Sequence, residues 1–157
     1  MTDVEATKLL KDLAAVATQL NEESDDLNEV LDAWDEKLRS LNIGLERWVA
    51  ISSEDQSVTV EDGSDTKDVP GSVEQQLGWA KYDIGGGWRL VTREATYRGD
   101  ADSGWQKIEQ SLSQPIGEAS REVRIEALEV LPRLLQELKE SAEKAVAKIA
   151  RAKKLVK

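Results

Sequence analysis

No cysteine, histidine or phenylalanine occurs in this sequence. Without Cys there is no disulfide, no thiolate nucleophile and no thiolate metal ligand. Without His the commonest general base near neutral pH and the commonest imidazole ligand are gone as well. No stretch approaches the roughly 20 apolar residues that a membrane span requires. The start Met1-Thr2-Asp3-Val4-Glu5 lacks the basic residues and apolar run of a signal peptide, so a cytoplasmic location is expected, with no membrane contact.

What is present is charge, most of it negative. Charged residues make up 33% of the 157 positions and the net charge is −10, against 39% hydrophobic content. That balance suits long solvated helices better than a thick globule, and it predicts one elongated domain over 1–157. The charge is uneven: residues 1–43 carry 11 acids and 4 bases, 44–119 carry 14 and 7, and 120–157 carry 6 and 10. A phosphate backbone or an anionic bilayer is repelled by most of such a surface, so direct nucleic-acid binding is not expected.

Apolar residues near the N-terminus recur at intervals of three and four. Leu10, Ala17, Ser24, Leu31 and Leu38 are seven apart, as are Leu13, Leu20, Leu27, Trp34 and Leu41, and only Ser24 interrupts the seam. A seam over more than four heptads predicts a helix packed lengthwise on another, here over 3–42, ended by Asn42 and Gly44. A second pattern, Leu128, Leu135, Ala142, Ile149 and Val156 with Leu131, Leu138, Ala145 and Ala152, predicts a helix over 120–156, capped by Ser120 and kinked near Pro132. Two helices of similar length separated by an insertion are expected to fold back as an antiparallel pair, with Leu31 near Leu131 and Leu10 near Ala152.

The insertion changes character. Leu45–Ser52, Gln76–Ile84 and Trp88–Tyr97 are rich in Trp, Val, Ile, Tyr and Thr, and Gly85-Gly86-Gly87 marks a hairpin turn. Trp105–Leu112 and a short Ser57–Val60 segment complete the expected strands. Residues 53–72 hold six acids, Pro70 and few apolar side chains, so they read as a mobile acidic loop. The fold class is therefore α+β: two long antiparallel heptad-patterned helices flanking an inserted antiparallel β-meander of about four strands, the head spanning 45–112.

Motifs for chemistry are weak. The Gly triplet lacks the following helix and the GK[ST] ending of a phosphate loop. Asp100-Ala101-Asp102-Ser103-Gly104 opens like a calcium loop but has no third acidic ligand, and Ser111 stands where a bidentate Glu belongs. Glu54, Asp55, Glu61, Asp62, Asp65 and Asp68 could pair as acid and base, but exposed acids on a loop lack the shielding that catalysis requires. No catalytic residue, cofactor or metal ligand is assigned.

Surplus apolar residues point elsewhere. Leu9, Val16 and Val30 widen the stripe of the first helix, and Val123, Ala127, Val130 and Leu134 form a second stripe on the other. The four tryptophans Trp48, Trp79, Trp88 and Trp105 are expected to cover the Val123 stripe and Trp34. Leu9, Val16 and Val146, beyond the reach of a small sheet, predict a second protomer or a partner helix. The run Glu22, Glu23, Asp25, Asp26, Glu29, Asp32, Asp35 and Glu36 has no base among 15 positions and predicts a solvated face. The reading is a non-catalytic protein–protein interaction module, an adaptor or small accessory subunit that homodimerises through its helices and binds a protein of unknown identity. Its candidate contact residues are Leu9, Val16, Val30, Asp25, Asp26, Glu29, Asp32, Trp79 and Trp88. The alternative is an acidic inhibitor, a nucleic-acid mimic that blocks a nucleic-acid-binding protein.

Overall fold

A capping box starts the first helix: the Thr2 hydroxyl accepts from the Glu5 N–H while the Glu5 carboxylate accepts from the Thr2 N–H at 2.8 Å. In the computed structural model, which describes residues 2–82, 85–100, 102 and 104–156, α1 spans Asp3–Ser40. Asn42 turns left-handed at φ 51° and closes it, as the sequence predicts. At the other end of the chain Ser120 caps α2, Arg121–Leu155, by accepting from the Val123 N–H at 3.3 Å. The helix continues through Pro132, which stands on its exposed side.

Between the helices lie β1 (Arg47–Asp62), β2 (Asp65–Lys81), β3 (Trp88–Asp100), β4 (Gly104–Gln110) and a two-residue β5 (Gln114–Pro115). The first four form an antiparallel meander in sequence order, and β5 pairs with the start of β3. The turn into β3 is closed by the Tyr82 N–H donating to the Gly87 carbonyl at 2.8 Å, with Gly85 and Gly86 at positive φ. Asp83 and Ile84 of that expected hairpin lie outside the described residues.

The expected loop at 53–72 is a correction. It is the distal half of a long hairpin in which Val58 pairs with Val69 and Val60 with Lys67, turning at Gly63 with φ 69°. Val58 is buried against the bare backbone of Gly71, where a Cβ would come within 2.7 Å of its methyls. Thr59 donates to Asp68 across the strands at 2.7 Å and Lys67 pairs with Asp62 at 3.2 Å. Ladder bonds, β-branched residues and these cross-strand pairs outweigh the acidic composition.

One face of the sheet receives both helices. Val49 and Leu77 stand in one row, Trp79 and Leu90 in the next. Ala127, Leu131, Leu134 and Leu138 of α2 and Leu31 and Leu38 of α1 complete a single core. α2 packs on β1 and β2 while α1 packs on β3. The buried stripe of α2 therefore takes Leu131 and Leu138 from the heptad seam and Ala127 and Leu134 from the second stripe. It is a helix-on-sheet face.

The helix pair departs from the expected geometry. The two helices meet where Arg121 donates to Asn21 at 3.4 Å and Arg124 donates to Asn28, contacts that advance toward higher numbers on both. An antiparallel register would run the other way. Leu10 and Ala152, expected together, are both exposed.

Candidate protein-interaction surfaces

Two helical arms leave the core. Along Asp3–Glu23 every residue except Ala6 is exposed, and α2 beyond Ala145 is exposed through its last turn. Apolar side chains stand exposed along both arms: Leu9, Leu10, Leu13, Val16 and Leu20 are 44–71% exposed, and Val146, Ile149 and Leu155 are 55–89% exposed. Ten of the sixteen large apolar side chains exposed among the described residues stand on the arms, so the apolar surface is concentrated rather than scattered. Fully burying such a side chain contributes about 1.5–3 kcal/mol, so each half-exposed one leaves on the order of 1 kcal/mol unused.

At the root of the first arm an apolar groove opens between the helices, with a volume of 380 Å³, lined by Leu20, Leu27, Val30, Ile125 and Leu128 and edged by Glu23 and Asp26. Ser24, the one break in the heptad seam, is buried here and donates to the Leu20 carbonyl at 2.6 Å, which satisfies its hydroxyl inside the helix. Leu9, Val16 and Val30 are exposed.

Asp25, Asp26, Glu29 and Asp32 are exposed on α1. Asp35 is not, and this corrects its place in the acidic run. It is 3% exposed; its Oδ1 accepts from the Leu90 N–H at 2.6 Å, and its Oδ2 faces Arg39 at 3.2 Å and Arg89 at 3.7 Å. This carboxylate fastens α1 to the start of β3.

The tryptophans divide. Trp79 is fully buried and its Nε1 donates to the Ile43 carbonyl at 3.0 Å, so it is a core residue and not a surface a partner can reach. Trp88 is half-buried, stacked on Trp79 with ring centroids 6.4 Å apart. Trp48 and Trp105 lie on the far face of the sheet, away from the Val123 stripe.

That far face holds a polar cluster invisible in the sequence. The Trp48 ring lies over Gly78, whose missing Cβ leaves the room, and the Arg93 guanidinium sits 3.7 Å from the ring centroid. Arg93 Nε donates to Gln76 at 2.8 Å, Gln76 donates to Tyr97 and Glu74, and Trp48 donates to Glu46. Burial lowers the Arg93 pKa, partly offset by Glu46 and Tyr97. The cross-strand rows that pair Trp48 with Gly78 and Gln76 with Arg93 carry the cluster, and only the register brings them together.

Among the described residues no cluster of three or more acidic side chains has metal-site geometry, and no helix is long and apolar enough to cross a membrane. Comparison with protein-family models, curated proteins and solved structures finds no match to this chain.

Proposed function

We propose that the protein is a non-catalytic interaction module, an adaptor or small accessory subunit whose contact surface is the pair of apolar helical arms. The observation that carries this reading is the heptad spacing of exposed leucine, valine and isoleucine on both arms. A helix in water gains most of its stability from packing an apolar face, so arms of this composition call for a partner. The test is a nuclease-treated pull-down from the native cell with mass-spectrometric identification, comparing wild type with Leu9→Asp/Val16→Asp. The expected result is a stoichiometric protein held by wild type and lost with the variant. Equal recovery by both proteins refutes the assignment of the arms.

A second reading rests on the exposed acids Asp25, Asp26, Glu29 and Asp32 of α1, of which Asp26 edges the interhelical groove. They form a stripe that a basic, nucleic-acid-binding protein could dock on. Reversing all four charges to Lys would then abolish binding with the fold intact; unchanged affinity refutes it.

A further inference from the structure

We propose that the arms pair between two copies of this chain, the α1 arm of one copy running antiparallel along the α2 arm of the other, in a reciprocal dimer. The inference rests on the reading of the arms as contact surfaces and names the occupant.

The first support is geometric. Within one chain the arms leave from opposite ends of α2: Asn21 holds the root of the α1 arm beside Arg121, and Arg47 donates to Ser141 at 2.5 Å where the α2 arm departs. Twenty residues of helix separate these points, about 30 Å. Because the helices advance in the same sense through their contact, the arms extend away from each other. The antiparallel heptad register is therefore closed to a single chain and open to two.

Charge supplies the second support and selects the partner. The first arm carries Asp3, Glu5, Asp12, Glu22 and Glu23 against Lys8 and Lys11. From Lys144 onward the sequence has six bases and no acid. Pairing α1 with α1, or α2 with α2, would bring together arms of like net charge, whereas α1 with α2 brings a net negative arm against a net positive one.

Third, the register closes without adjustment. Setting Leu10 against Ala152 puts Leu13 against Ile149, so each first-seam position of one helix meets a second-seam position of the other. The flanking positions then bring Leu9 opposite Leu155 and Ala14 opposite Val146. Leu9, Leu155 and Val146 are thereby covered by one arrangement. A two-fold axis generates two such junctions, which leaves no arm unpaired and no open chain.

The absence of native cysteine makes the test direct. Leu13→Cys chains and Ile149→Cys chains, both substituted at exposed positions, are mixed and treated with a short bismaleimide linker. The expected product is a mixed dimer, with either variant alone giving at least tenfold less linked product. The double variant Leu13→Cys/Ile149→Cys is expected to link between chains; a linked product at monomer mass overturns the proposal. Self-linking of Leu13→Cys as efficient as the mixed reaction, or no linking in any mixture, overturns it too. If linking fails while Leu9→Asp/Val16→Asp still loses a foreign protein in the pull-down, the interaction reading stands and the second copy is the wrong occupant.

Discussion

Replacing Asp35 with Ala removes a carboxylate that joins α1 to β3, and the cost follows from its contacts. The Leu90 N–H, held at 2.6 Å in a buried site, loses its acceptor. An unmade bond to a buried backbone donor costs about 1–3 kcal/mol, at the upper end when the lost acceptor is charged. The ion pairs add less, because the Arg39 and Arg89 side chains are 49% and 41% exposed. Solvent screening holds each to a few tenths of a kcal/mol. The sum is about 2–3 kcal/mol. With a urea slope of about 2 kcal/mol per molar, the unfolding midpoint falls by roughly 1–1.5 M. Asp35→Asn, which keeps an oxygen for Leu90, is expected to lose about half as much. Equilibrium urea unfolding followed by tryptophan fluorescence measures both. An Asp35→Ala loss below about 0.5 kcal/mol would refute the assignment of this residue as the fastener.

Three other outcomes are expected. Gly78→Ala drives a Cβ to within 2.3 Å of the Trp48 ring, so it displaces the indole from Arg93, costs about 1–3 kcal/mol and shifts the Trp emission; unchanged emission and stability contradict the stacking. Amide exchange in 54–61 and 66–72 is expected to be slowed at least tenfold over unstructured peptide rates, whereas a loop would exchange at those rates. Glu5 is held below its ordinary carboxyl value of 4.5 by the bond from the Thr2 backbone N–H and then by the Thr2 hydroxyl. A depressed carboxyl stabilises its turn above the unfolded value and loses that effect as pH falls through the folded value. The first turn of α1 therefore frays as pH falls below 4.5, read by NMR shifts of residues 3–6; Glu5→Gln removes the pH dependence, whereas Thr2→Ala, which keeps the backbone N–H donor, only weakens it.

Helix ends were among the most legible parts of the chain, because they are written in local chemistry: left-handed Asn42 and Ser120 at a cap were read, while the Thr2–Glu5 capping box was equally local and was missed. The hairpin at the Gly triplet was legible for the same reason. The distal hairpin was legible only as the short Ser57–Val60 strand, where Val58 and Val60 alternate with Ser57 and Thr59, because most of its side chains are exposed and its acids imitate a loop. Heptad spacing was ambiguous in kind. Intervals of three and four fit a helix on a sheet as well as a helix on a helix, and residues Ala127 to Leu138 went to the sheet. Asp35 could have been found, because it stands four after Leu31 and three before Leu38 and so shares their buried face. The cluster of Trp48, Gln76 and Arg93 depends on strand register, which no local pattern reveals.

The most direct test of the account is the mass of the full chain by light scattering at about 100 µM and again after tenfold dilution. Reciprocal pairing of the arms predicts twice 17.4 kDa for wild type and 17.4 kDa for Leu13→Asp, with the Trp79 core still folded by tryptophan fluorescence. A wild type that stays at 17.4 kDa throughout, or a dimer that Leu13→Asp leaves intact, would contradict it.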